Sequence, residues 1–191
     1  MKGADIALLA LAELRRRRGH DCPMLEIYGE EDGEGQFFRE MVTALNVSDI
    51  VKFRGFQVGA LERCPSSDIL VVSSRKETGP LTVLEAMSRG MPIVASDVGE
   101  VAEMLPDQRY GHIVAVNSIL ALADGIESLI ADIRGGRFNP QILIDRYQSF
   151  YTIEKMAERV ETIYEQVLLK GCKLHLAALN RNIRGEIVPL E

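Results

Sequence analysis

The chain is 191 residues long and 47% apolar, enough to bury one substantial core, and a single domain is the default reading. Its net charge of -6, with no basic stripe interleaved with aromatics, argues against nucleic acid as the main partner. No apolar run approaches membrane-spanning length, and Met1-Lys2-Gly3-Ala4-Asp5 lacks the apolar stretch and cleavage site of a secretory signal, so the expected location is the cytoplasm.

The first predicted element is a helix with one face at Ala4, Leu8, Leu11 and Ala12. It closes on Arg15-Arg16-Arg17-Arg18 and Gly19, a positive last turn followed by a helix-ending glycine. A strand over Met24–Tyr28 follows, then a helix over Gln36–Leu45, a strand over Ile50–Phe53, a short helix near Val58–Arg63 and a strand over Ile69–Ser73. Beyond a loop at Glu77, a helix runs to Gly90. Strand patterns at Pro92–Ala95 and His112–Ala115 enclose a short helix near Val101–Leu105. Ile119–Ile133 patterns as a helix, and Ile153, Met156, Ala157, Val160, Ile163, Tyr164, Val167 and Leu168 trace an amphipathic stripe on another. Helical and strand patterns alternating across short polar breaks predict parallel βαβ units, an α/β fold with a doubly wound parallel sheet flanked by helices. Residues 1–170 are assigned to this domain and 171–191 to a tail of uncertain structure. In the tail, Lys173–Ala177 and Glu186–Leu190 alternate like strands, although a loose extension or a helix is the plainer reading.

Several signals read as structural. Cys22, Cys64 and Cys172 are odd in number and scattered, which suits reduced packing thiols. Gly29, Gly33 and Gly35 resemble a phosphate loop, but Glu30, Glu31, Asp32 and Glu34 would repel a phosphate, and a turn before a helix is preferred. Those carboxylates lack EF-hand spacing, no Asp-any-Asp triplet occurs, and no metal is expected. His20, His112 and His175 show no ligand or triad spacing. The Arg15–Arg18 run offers a candidate contact with anionic lipid at the inner face of a membrane, with a solvated helix end as the plainer reading. Arg75 and Lys76 read equally as diphosphate contacts or as solvated charge.

Two carboxylates, Glu77 and Glu85, flank Thr78-Gly79-Pro80-Leu81-Thr82-Val83-Leu84 at the carboxyl end of a predicted strand. Loops in that position line the usual ligand crevice of open α/β sheets, where carboxylates and bare helical N–H groups read hydroxyls and phosphates together. Thr82 and Glu85 also fit a capping box, which would account for Glu85 without a ligand, and Glu77 fits a solvated loop. The residues alone leave both readings open.

From Lys2 to about Leu169 the sequence resembles the donor-binding, carboxyl-terminal half of the retaining GT-B glycosyltransferases of family four. The resemblance rests on ordered features: Lys2-Gly3, Tyr28-Gly29, Val51–Gly55, Ser67–Ser74, Glu77–Met87, Gly90–Ser96, Gly99, Glu103 and Gly111. It implies that Glu85 accepts both ribose hydroxyls of a nucleoside diphosphate sugar, and that Glu77 contacts the transferred sugar near the reacting carbon as the catalytic carboxylate. Gly79 and the N–H groups of Leu81 and Thr82 would face the diphosphate, and Lys2 would neutralise it. The donor is a substrate, and no further cofactor or metal is implied.

Three departures bear on this. Pro80 stands where relatives usually have glycine and removes an N–H, and Glu100 replaces a second glycine after Gly99. The third is that an amino-terminal acceptor domain and a first strand are expected ahead of Lys2, supplied in cis or in trans. The runs Leu25–Tyr28 and Ile69–Ser73 would then flank an opening in the sheet. On this reading the isolated chain binds donor weakly and does not turn over. The alternative is a non-catalytic nucleotide-sugar-binding or regulatory subunit that pairs with a separate acceptor domain.

Overall fold

The computed structural model describes residues 2–29, 33 and 35–183, with the backbone alone for 170–183. The chain divides into two compact units, Met1–Tyr147 and Gln148–Glu191.

In the first unit, parallel strands β1 (Leu25–Tyr28), β2 (Val51–Gly55), β3 (Leu70–Val72), β4 (Ile93–Ser96) and β5 (His112–Val114) alternate with helices. The helices are α1 (Ala4–Arg18), α2 (Gly35–Ala44), α3 (Ala60–Arg63), α4 (Leu81–Ser88), α5 (Val101–Met104), α6 (Ile119–Arg134) and α7 (Pro140–Phe150), the last of which runs into the second unit. β1 pairs with β2, Leu25 opposite Val51, and β3, β4 and β5 form a separate ladder with Val71 opposite Val94 and Ala95 opposite Ile113. No ladder joins β1 to β3, the place where the sequence reading expects an opening. Burial reflects this break: all of β4 is buried, as an inner parallel strand should be, whereas Leu25, Ile27, Leu70 and Val71 are only half-buried.

Alternation along β4 sends its side chains to two cores. Val94 packs with Val114 and with Leu8, Leu11 and Leu14 of α1 and Leu122, Ala123 and Leu129 of α6. This core also takes in Val42 of α2 and Val51 of β2, so side chains continue across the break in the ladder. Ile93 and Ala95 face the other way, where Val83, Ala86, Met87, Val101, Met104 and Leu105 are also buried. Helices on both faces of parallel strands make the fold doubly wound. α1 ends as predicted, with Gly19 at φ 57 donating its N–H to the Arg15 carbonyl, and Ser118 caps α6 by accepting from the Ala121 N–H at 3.2 Å.

α7 is absent from the sequence reading, although Asn139-Pro140 carries its start signal. Asn139 Oδ1 accepts from the Gln141 N–H at 3.1 Å, and proline at the first helical position lacks an N–H that would go unpaired there. Arg146 then ties α7 to the end of α5, its Nε donating to the Met104 carbonyl at 2.8 Å.

The second unit contains α8 (Ile153–Ile183), begun by Thr152, whose Oγ1 accepts from the Lys155 N–H at 3.3 Å. Its predicted stripe is exposed within the unit, including Ile153, Met156, Ile163, Val167 and Leu168. The strand-like run Lys173–Ala177 is helical, because the chain continues α8 through it without a break. Glu186–Leu190 and the carboxylates Glu30, Glu31, Asp32 and Glu34 lie outside the described residues. Cys22 is buried and Cys64 half-buried, both free thiols, and the Cys172 side chain lies outside the described residues.

Gly125 sets how closely α6 approaches the strands, since a Cβ there would lie 2.7 Å from Val114 Cγ1 and 3.1 Å from Val94 Cγ1. Gly125→Leu gains about 1 kcal/mol of helix propensity but overpacks the core by about 1–3 kcal/mol. The expected result is a lower urea midpoint, and a variant more stable than the parent would show that this contact has slack.

Candidate functional site

The site begins where β3 ends. Gly3, at φ 70, passes so close to Ser73 that a Cβ would lie 2.0 Å from the Ser73 carbonyl oxygen, and Ser73 Oγ donates to the Gly3 carbonyl at 2.7 Å. This joins the start of α1 to the loop after β3 and places Lys2 beside Glu77. Lys2 Nζ donates to Glu77 Oε1 at 2.7 Å, and Ser74 Oγ donates to the same oxygen at 2.8 Å. Both bonds converge on Oε1. The Glu77 side chain is 13% exposed and that of Lys2 78%. Burial pushes the Glu77 carboxyl up, but the bonds from Lys2 and Ser74 outweigh it and hold the group below its ordinary value.

A second glycine packs against the loop further along. Gly99, at φ 55, approaches so closely that a Cβ would lie 2.4 Å from the Thr78 carbonyl oxygen, and the Glu100 N–H donates to that oxygen at 3.0 Å. Glu100 is exposed, and its Oε2 sits 3.5 Å from where a Cβ on Gly79 would be, against the same loop.

α4 starts at Leu81 with Pro80 as its cap and no side-chain capping bond. Thr82 is therefore the second helical residue, and the capping box expected of Thr82 and Glu85 does not form. The Val83 N–H goes to the Pro80 carbonyl at 3.0 Å, while those of Leu81 and Thr82 precede the first intrahelical partner. Val83, Ala86 and Met87 are buried, which leaves Leu81, Thr82 and Glu85 on the exposed side of the helix. Leu81 is 70% exposed. Among the described residues, no side chain bonds the Glu85 carboxylate.

The Lys2–Glu77 contact is thus formed directly, Gly79, Leu81 and Thr82 line the turn into α4, and Glu85 lies one turn further along. Arg75 departs from both sequence readings. It pairs with Asp5, Nη1 to Oδ1 at 2.8 Å and Nη2 to Oδ2 at 2.5 Å, and its Nε donates to Asn117 Oδ1 at 3.0 Å. Lys76 is exposed. Sequence reasoning gave no role to Ser74, Asp5 or Asn117; the available signal was Lys2 and Asp5 on one segment matched in charge by Arg75 and Glu77 on another.

Arg15–Arg18 are engaged in ion pairs: Arg15 with Asp49 at 2.7 Å, Arg16 with Glu13 at 2.7 Å, Arg17 with Asp124 at 2.6 Å and Arg18 with Glu127 at 3.6 Å. His112 is buried and meets Asp132 Oδ2 at 3.1 Å, and His20 is exposed. The His175 side chain lies outside the described residues. Among the described residues no group of three or more His, Cys, Asp or Glu could hold a metal ion, and no helix is long and apolar enough to cross a membrane.

A family model described as Glycosyl transferases group 1 matches residues 1–135, and the chain belongs to that family. It is 30% identical over 129 residues to N-acetyl-alpha-D-glucosaminyl L-malate synthase of Bacillus anthracis, covering 68% of this chain and 34% of the relative. The crystal structure of Anabaena HepE in complex with UDP superimposes with a TM-score of 0.75 at 20% identity, over 86% of this chain and 45% of that one. The C-terminal domain of the group 1 family protein LpcC from Francisella tularensis superimposes with a TM-score of 0.67 at 24% identity, over 80% of each chain. These likenesses show the fold, that of the carboxyl-terminal half of GT-B glycosyltransferases. The chain spans about a third of the length of the curated relatives it matches.

Glu77 gives the site a pH signature. Its carboxyl is held below its ordinary value of 4.5 in the folded chain, so the unfolded chain binds that proton more readily. The resulting stability is complete above the unfolded value and is lost as pH falls through the folded one. Urea denaturation from about pH 6 to about pH 3 should therefore show a steeper loss for the parent than for Glu77→Gln. Equal slopes would remove the ion pair from the account.

Proposed function

We propose that the chain is the donor-binding domain of a retaining glycosyltransferase, holding a nucleoside diphosphate sugar whose hexosyl group passes to an acceptor bound by another domain. The observation that carries this reading is Glu77, a mostly buried carboxylate fixed by Lys2 and Ser74 beside the open amino end of α4. Family membership supports sugar transfer, and the UDP complex of HepE supports a nucleoside diphosphate as the leaving portion.

The roles follow from the chemistry of each group. Glu85, without a side-chain donor on the described protein, accepts the vicinal hydroxyls of the ribose. The N–H groups of Leu81 and Thr82, at the positive end of α4, take phosphate oxygens, with Gly79 allowing close approach. An ion pair whose lysine is as exposed as Lys2 contributes at most about 1 kcal/mol, so a diphosphate draws Lys2 away at small cost. Glu77 then faces the sugar with one donor fewer, ready to accept its hydroxyls and to favour positive charge at the reacting carbon as the diphosphate leaves. Lys2 and the α4 amino end supply the charge that a divalent cation would otherwise bring, and binding is metal-independent. Transfer needs the acceptor and the exclusion of water, which a second domain provides across the cleft.

Calorimetry with UDP, GDP and ADP tests the reading. One of them should bind, with unchanged affinity in EDTA. Glu85→Ala should bind it about tenfold to a hundredfold more weakly, the loss expected for hydrogen bonds to a charged group. Equal affinity in parent and variant would sink the ribose assignment.

A further inference from the structure

Two ion pairs of opposite polarity cross between the same two segments. Lys2 reaches Glu77, and Asp5, in the first turn of α1, receives Arg75 from the loop that carries Glu77. The pairs differ in permanence. Lys2 makes a single contact from a side chain 78% exposed. The Asp5–Arg75 pair is bidentate, its side chains 30% and 29% exposed, and the planar guanidinium fork matches a carboxylate in a way an ammonium does not. The Arg75 bond draws the Asp5 carboxyl below its ordinary value. Arg75 Nε also donates to Asn117, which stands at φ 60 in the turn between β5 and α6, a conformation asparagine tolerates better than most residues. One guanidinium therefore ties together the start of α1, the loop after β3 and the loop after β5.

We infer that Arg75 and Asp5 are positioning residues for the diphosphate part of the donor site, a standing clasp that holds the two segments together when Lys2 leaves Glu77 for a phosphate. The inference rests on the donor-binding reading above. It assigns Arg75, two residues from Glu77, no contact with the phosphate, because its Nε, Nη1 and Nη2 are already bonded to protein acceptors. Its influence reaches the ligand through Lys2 and Glu77. The ribose site at Glu85, on α4, lies beyond the clasp and does not depend on it.

The test separates positioning from direct binding and from folding. Affinities of the full chain for UDP-glucose and UMP are measured by calorimetry, with GDP-mannose and GMP and ADP-glucose and AMP as parallel pairs, alongside thermal midpoints. Arg75→Ala and Asp5→Ala should each weaken the nucleotide sugar by about tenfold, within the range of coupling between contacting residues, and leave the monophosphate within about twofold. The exchange of Asp5→Arg with Arg75→Asp should restore most of the loss. Should either alanine variant fail to fold, Asp5→Asn and Arg75→Lys keep the shape and remove the bidentate pair. Weakening by Arg75→Ala alone, without rescue by the exchange, would make Arg75 a phosphate ligand and overturn the inference. Equal weakening of nucleotide sugar and monophosphate would reduce the clasp to a folding element and also overturn it. Failure of the unaltered chain to bind any of the three nucleotide sugars would instead remove the donor reading and the inference with it.

Discussion

The site depends on a backbone contact that no side chain could survive. A Cβ on Gly3 would lie 2.0 Å from the Ser73 carbonyl oxygen, and because Gly3 is free of one, the start of α1 rests on the end of β3. The long-range partners around Glu77 follow from that approach. It brings Lys2 within 2.7 Å of a carboxylate 75 residues away in sequence and aligns Asp5 with Arg75. Gly99 repeats the device against the Glu77 and Thr78 carbonyls, so the segment from Ser73 to Thr78 is packed at its two ends against glycines at positive φ. Preorganisation here comes from close backbone packing more than from side-chain bonds, which are individually weak where they are exposed.

The charges of the site look ill suited to an anionic ligand until their partners are considered. Glu77, Glu85 and Glu100 are three carboxylates around the turn to which the proposed function assigns a diphosphate. Glu77 is paired with Lys2, and Glu85 stands a full turn from the amino end of α4, where the helix dipole has already weakened. Glu100 is different, since its carboxylate lies against Gly79 at the turn itself. Its charge works against an anion at that turn, and on the proposed reading the Lys2 ammonium and the Leu81 and Thr82 N–H groups offset it.

Much of the fold was legible because its signals are local. Gly19 ends α1 through the conformation that glycine alone adopts freely, and the apolar run at β4 reads as a strand buried on both faces. α7 went unseen because the start signal at Asn139-Pro140 was not used, and its attachment comes from Arg146 bonding backbone carbonyls on a distant segment. The site divides in the same way. Glu77 and Glu85 could be picked out by their place between a strand and a helix, but the partners of Asp5 and Arg75 are set by tertiary approach. The apparent capping box failed for a related reason: α4 begins one residue before Thr82, at Leu81, after Pro80, so the spacing of Thr82 and Glu85 carries no cap.

The break between β1 and β3 shows which element holds the first unit together. Backbone ladders stop there, yet the core is continuous, because α1 packs on α2 and α6 and joins residues from both sheets through Leu8, Leu11 and Leu14. Leu8 and Leu14 are fully buried, so the axis of α1 is fixed by the core. The same helix carries Asp5 in its first turn and Lys2 just before it. The core thereby sets where the Lys2 backbone stands, the Asp5–Arg75 pair ties down the segment facing it, and the exposed Lys2 side chain is held by its single contact with Glu77. On the proposed reading, a helix fixed by the core and preceded by one exposed cation exchanges a carboxylate for a phosphate without disturbing the fold that presents both.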